Sequence, residues 1–143
     1  MNKELDKFKE EMIDACPLFF ERIRSRWCIE CPNNYHGYDI GPGWFGLIRE
    51  VCELIEMKNR VCISEGKPTF KAVFLRRVRK SLRFSVSAYN PDPVLNKLIE
   101  LIEEKSKTMC EICGERAQYR NGIKSKLKIL CDFHLNETIR EEG

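Results

Sequence analysis

The chain has 143 residues, 43% hydrophobic and 33% charged, which excludes both two large domains and wholesale disorder. Its net charge of +3 hides a local excess: residues 70–90 carry six basic and no acidic side chains, whereas residues 1–69 carry ten basic against twelve acidic ones. The N-terminal MNKELDKFKEEMID lacks a continuous apolar core of the signal-peptide kind and no apolar run approaches bilayer length, so a cytoplasmic protein with no membrane partner is expected.

From Lys3 to Ala15, Leu5, Phe8 and Met12 recur at helical spacing before Pro17, which predicts one amphipathic helix. The following stretch to Trp44 contains CPNNYHGYDIGPGW, whose glycines, prolines and paired asparagines predict a loop-rich segment. A helix is expected over 44–58, with Trp44, Leu47, Ile48, Val51, Leu54 and Ile55 on its apolar face and Arg49, Glu50, Glu53 and Glu56 on its polar face. Two strands are expected near Phe70 to Val78 and Leu82 to Tyr89, joined as a hairpin over Arg79 to Ser81. Asp92 and Pro93 then form an N-cap and first-turn pair for a helix over 93–107, with Val94, Leu95, Leu98, Leu101 and Ile102 as its apolar face. The fold class this order implies is α+β: a small antiparallel sheet or hairpin covered by two to three helices, followed by a zinc ribbon or knuckle. We place the core domain at 1–108 and the zinc-ribbon-like module, packed on it, at 109–143.

That module rests on CEICG and LCDFH. Eight cysteines in a reducing compartment read as metal ligands and buried thiols rather than disulfides. Cys110 and Cys113 make a Cys-x-x-Cys turn, and the Asn121–Gly122 turn allows the intervening chain to return as a hairpin that brings up Cys131 and His134. Three thiolates and an imidazole favour zinc over an iron–sulfur cluster. With all four positions filled by protein, the expected role is structural, and Glu111 and Asp132 are read as surface acids between ligands. The plainer alternative is three buried thiols beside a surface histidine.

GPGWFGLI from Gly41 to Ile48, LRFSVSAYN, the helix ending in EEKS, and the ordered CEICG and LCDFH together resemble a family of small, poorly characterised bacteriophage and prophage proteins. The resemblance covers roughly residues 41–135. It implies a phage-encoded accessory protein acting in the host cytoplasm, and it implies no reaction. Ser81 stands where such proteins usually carry a glycine before Leu-Arg-Phe, and the strand of this chain is unusually basic.

A second metal site is conceivable at Cys16, Cys28, Cys31 and His36, though two cysteines packed beneath Trp27 explain WCIEC equally simply. Arg76, Arg77, Arg79, Lys80 and Arg83 form a basic stripe suited to an acidic protein surface or to phosphates, and otherwise a solvated sheet face. Tyr35 and Tyr38 are aromatic loop residues of the kind that anchor interfaces. No nucleophile stands beside a credible base and no glycine loop cradles phosphate, so no catalytic residue is assigned and an enzyme is disfavoured. Two functions compete: modulation of a host protein such as a defence or regulatory factor, and nucleic-acid binding through the basic hairpin and zinc module.

Overall fold

The computed structural model describes residues 3–21, 40–78, 80–87, 92–124 and 127–142. Among the described residues it has the expected α+β architecture, with four α-helices, a two-stranded antiparallel hairpin and, near the C-terminus, Cys110, Cys113, Cys131 and His134 drawn together. Helix α1 (Lys3–Ala15) buries Leu5, Phe8 and Met12, the three residues at helical spacing. The Phe8 ring stacks on Phe45 at 4.1 Å, and Glu11 accepts a hydrogen bond from Arg49 at 3.1 Å, which lays α1 along α2 (Phe45–Ser64).

Helix α2 runs six residues beyond the expected Lys58. Its end is a Schellman motif: Gly66, at φ +70°, donates to Ile63, and Lys67 donates to the Cys62 carbonyl at 2.8 Å. Two polar residues of α2 are buried: Glu56, which the sequence pattern set on the solvent face, and Asn59, beyond the expected end of the helix. Glu56 accepts the amides of Leu18 and Phe19 at 3.2 and 2.9 Å. Asn59 takes the Phe70 amide at 2.7 Å and donates to the Phe70 carbonyl at 2.9 Å. One turn apart, the two side chains therefore hold the segment after α1 and the entry to the hairpin, satisfying backbone groups that no ladder reaches. Leu54, assigned to the apolar face, is exposed, because the buried arc of α2 is centred on Ile48, Val51, Cys52 and Ile55.

Strands β1 (Lys71–Val78) and β2 (Ser81–Ser87) pair antiparallel from Val78↔Ser81 to Lys71↔Ser87, with a bulge between Ala72 and Phe74. Ser81 thus belongs to the strand and not to the connection. Leu82 and Phe84 are buried and Arg83 is exposed, as their alternation requires. The outer edge of β2 is closed by α3 (Pro93–Ser106): Ser106 Oγ accepts the Leu82 amide at 2.8 Å, and Glu103 accepts the Phe84 amide at 2.9 Å. This is side-chain capping of a strand edge that would otherwise offer free donors. Asp92 caps α3 by accepting from Val94 and Leu95. Leu95 and Ile102 are buried as expected, whereas Val94 and Leu101 face solvent.

The short strands β3 (Gln118–Tyr119) and β4 (Ile129–Leu130) pair antiparallel and precede α4 (Asp132–Glu142). Leu130, Ile129 and Cys110 belong to the same hydrophobic cluster as Trp44, Ile48 and Phe19.

Candidate metal centre

Cys110 and Cys113 lie on the turn closed by the Met109↔Arg116 bridge, Cys131 directly follows β4, and His134 sits in the first turn of α4. The turn is sustained by Gly114, at φ +83°, whose amide donates to the Cys110 carbonyl at 2.8 Å. The opposite side is delivered by the β3–β4 pairing, extended by the Arg120 amide to Lys128 carbonyl bond at 2.6 Å. Arg120 also reaches Asp132 at 2.7 Å, fixing the start of α4 against β3.

The four ligand atoms all lie within 4.8 Å of one another and could hold a metal ion. Cys131 Sγ is 3.3 Å from His134 Nδ1, Cys110 Sγ is 3.7 Å from the same nitrogen, and the Cys113 and Cys131 sulfurs are 3.9 Å apart. A tetrahedron with metal–sulfur bonds of about 2.3 Å and metal–nitrogen bonds of about 2.0 Å has edges of roughly 3.5–3.8 Å, so the spacing fits one ion among four donors. It does not fit a disulfide, whose sulfurs are about 2.0 Å apart.

The electrostatics prepare the site for a cation. Burial opposes ionisation of Cys110, but backbone amides of Cys131, Cys113 and Ile112 and the Cys113 thiol outweigh it and hold the Cys110 thiol below its ordinary value. Desolvation raises the Cys113 thiol to about 11, helped by the neighbouring Cys110 and Cys131 sulfurs and opposed by the Glu115 amide. Sulfurs this close cannot all ionise without a positive charge between them. A metal ion held among the four donors would supply that charge.

Glu111, read from sequence as a surface acid, is fully buried. Its carboxylate accepts the amides of Lys128 and Ile129 at 2.8 and 2.9 Å, and its own amide donates to the Ile129 carbonyl at 2.8 Å. It is a brace that fixes β4 against the Cys-x-x-Cys turn. Asp132, by contrast, is an exposed acid, as expected.

The centre is seated on the Gly41–Trp44 segment. Gly43 donates to the Glu111 carbonyl at 2.8 Å, and the Trp44 indole donates to the Met109 carbonyl at 2.9 Å. A Cβ on Gly41 would fall 2.1 Å from the Glu111 carbonyl oxygen, and one on Gly43 would fall 2.0 Å from that of Cys110. Only glycine allows this approach of two backbones. Both glycines stood out in sequence as turn residues, and their real constraint is a contact with a segment nearly seventy residues away.

The other candidate residues divide into those the structure describes and those it does not. Cys16 is buried in the core, where desolvation and then Glu56 and Glu53 raise its thiol to about 12. Cys28, Cys31, His36, Tyr35, Tyr38 and Arg79 lie outside the described residues. Lys80 Nζ stands 5.3 Å over the Tyr119 ring of β3, joining the hairpin to the metal module, and Arg83 lies 3.7 Å from Glu103. Arg76 and Arg77 occupy β1 positions paired with Arg83 and Leu82. Among the described residues no helix is long and apolar enough to cross a membrane. No protein-family model, curated protein or solved structure matches the chain.

Proposed function

We propose that the four-residue centre holds zinc in a structural role, and that the chain is a non-enzymatic accessory protein of bacteriophage type that binds and modulates a host protein. The donor set of three sulfurs and one imidazole suits zinc, and four protein donors leave a tetrahedral ion no open position for water or substrate. The observation that carries the choice of partner is the charge around Arg83. It is paired with Glu103, and the 470 Å³ groove beside it is lined by Glu100 and Glu103 as well as Phe84, Val86 and Ile99. One cation beside two carboxylates and apolar side chains suits a protein surface, whereas a polyphosphate backbone would meet the two acids. The resemblance to phage proteins supports the same reading. Two of the segments that carry it, GPGW and CEICG, form one packed unit here. The partner class this implies is a host defence or regulatory factor in the host cytoplasm.

One observation favours nucleic acid instead. Residues 70–90 carry six basic and no acidic side chains, a local excess that suits phosphate contacts. The two readings separate in one experiment: affinity capture of the tagged, zinc-replete protein from bacterial lysate with and without nuclease, repeated with Lys80→Glu and Arg83→Glu. A host protein retained after nuclease and lost in both variants is the expected result. Loss of every partner on nuclease treatment, with duplex binding that falls steeply as salt rises, identifies a nucleic-acid binder.

A further inference from the structure

We infer that the four-donor centre is a peroxide-sensitive modification site, in which Cys113 reacts first and Cys131 closes a disulfide on it, releasing the ion. The inference rests on the reading of the four donors as a zinc site. Among the described residues Cys113 is the one exposed cysteine: Cys16, Cys52 and Cys110 are buried, and Cys62 and Cys131 are half-buried. A sulfur that ligates a metal is held as the thiolate, which is also the nucleophilic form, so ligation and exposure coincide at Cys113. Other thiols lack one or both properties. Cys16 and Cys52 lie in the core, where desolvation pushes both thiols well up, Cys16 to about 12.

Geometry selects the second sulfur. Cys131 Sγ is 3.9 Å from Cys113 Sγ. Closing that gap to the disulfide distance of about 2.0 Å takes roughly 1 Å of movement from each sulfur, within reach of side-chain rotation. Cys110 is less able to move. It is fully buried, its amide donates to the Glu115 carbonyl at 2.7 Å, and its carbonyl accepts the Gly114 amide at 2.8 Å. The Gly43 backbone packs against the same carbonyl.

In the first step the Cys113 thiolate attacks one oxygen of hydrogen peroxide. An S–O bond forms, the O–O bond breaks, and hydroxide leaves to take a proton from solvent, with Cys113 left as the sulfenic acid. In the second step the Cys131 thiolate attacks the Cys113 sulfur. The S–S bond forms as the S–O bond breaks, and a second hydroxide leaves. Two electrons pass from the two sulfurs to the peroxide, which ends as two waters. Cys110 and His134 are then the remaining donors, too few for a structural zinc site, which takes four.

The disulfide joins two positions that the ion had joined, so β4 stays tied to the Cys-x-x-Cys turn, with Glu111 still accepting the Lys128 and Ile129 amides. His134 alone loses its anchor to that turn. The start of α4 then depends on the Arg120 to Asp132 bond at 2.7 Å and on the Leu135 amide to Cys131 carbonyl bond at 2.9 Å. Peroxide therefore loosens α4 while the β3–β4 pairing persists, whereas chelation loosens both.

The test treats the full zinc-loaded chain with about ten equivalents of hydrogen peroxide and follows zinc by a chromogenic indicator, thiols by alkylation and mass spectrometry, and amides by hydrogen exchange. Expected are release of one zinc per chain, loss of two of the eight alkylatable thiols, a Cys113–Cys131 disulfide in the peptide map, and recovery on adding reductant and zinc. Exchange of the α4 amides should quicken at least about tenfold, while the amides of Gln118, Tyr119, Ile129 and Leu130 stay protected. Cys62→Ala, which removes a half-buried thiol outside the centre, should leave the release unchanged. A chain that binds no zinc overturns the zinc reading and this inference together. A zinc-loaded chain that keeps its metal in peroxide overturns this inference alone. So does a disulfide formed by Cys110 or by a cysteine outside the centre, or Cys113 oxidised past the sulfenic acid with no disulfide formed.

Discussion

The Trp44 indole and the Met109 main-chain carbonyl, 65 residues apart in sequence, are joined by a 2.9 Å hydrogen bond at the base of the metal centre. Trp44 is fully buried, so the bond does more than align two segments: it gives the buried indole donor its partner, the Met109 carbonyl three residues past the end of α3. Trp44→Phe keeps an aromatic ring and deletes the donor. Urea denaturation should show a loss of about 1–3 kcal/mol from the unpaired carbonyl, with a further contribution from the smaller ring. An unchanged midpoint would mean that water or a shifted backbone replaces the bond.

The three glycines near the start of α2 should behave differently on mutation to alanine. Gly41 and Gly43 would set a methyl 2.1 and 2.0 Å from carbonyl oxygens of the Cys-x-x-Cys turn, and backbone has no flexible end to move aside. Both substitutions should cost more than about 2 kcal/mol and lower metal affinity, measured by thermal melting and a chelator competition titration. Gly46 meets nothing within 4 Å and lies in the first turn of α2. Gly46→Ala should be neutral or stabilise by up to about 1 kcal/mol. Equal behaviour of the three would contradict the close approach seen here.

Zinc binding should be inseparable from the folding of the C-terminal region. Elemental analysis is expected to return one zinc per chain, and chelation should lower the melting temperature and expose the amides of Gln118, Tyr119, Ile129 and Leu130 to hydrogen exchange. Cys113→Ser should do the same without chelator, since it removes one of four donors. Binding energies of about 10–16 kcal/mol for structural zinc in small peptides leave ample margin for a visible effect. Purified protein free of metal, melting identically with and without chelator, would sink the assignment.

Asp92 supplies a pH-dependent contribution at the start of α3. The Lys58 side chain foremost, then the Leu95 and Val94 amides, hold its carboxyl below the ordinary value of 3.8 against a small desolvation cost. A carboxyl lowered in the folded state stabilises the protein above its unfolded pKa, and that contribution is lost as pH falls through the folded one. Asp92→Asn keeps a capping side chain and removes the charge. The stability difference between wild type and Asp92→Asn should therefore be full at pH 6 and shrink steadily below about pH 4. A difference that stays constant with pH would show that Lys58 and the amides do not favour the ionised form.

Much of this architecture was legible because it depends on local periodicity or local chemistry. Leu5, Phe8 and Met12 place α1, Asp92 followed by Pro93 starts α3, and the paired cysteines with the later Cys131 and His134 declare the four donors that could hold a metal ion. Glu56, Asn59 and Glu111 were not legible. Their side chains are buried because backbone amides of distant segments arrive at them, and nothing in the identity of a glutamate says whether such amides will come. Leu54, Val94 and Leu101 misled in the opposite direction. A helical apolar arc can be wider than the neighbours that cover it, and the sequence shows the arc but not the cover.

The separation of contacts along the chain also bears on how the molecule assembles. The metal ligands span Cys110 to His134, whereas the Trp44 bond spans 65 residues and the Glu56 bonds span 37 and 38. Loop-closure entropy grows with span, so the shorter circuit closes first and the longest last. The C-terminal module can thus gather its four donors while the preceding chain is still unfolded, and arrive at Gly41, Gly43 and Trp44 already shaped. In that sequence of events the glycine platform acts late, as the seat that accepts a finished part.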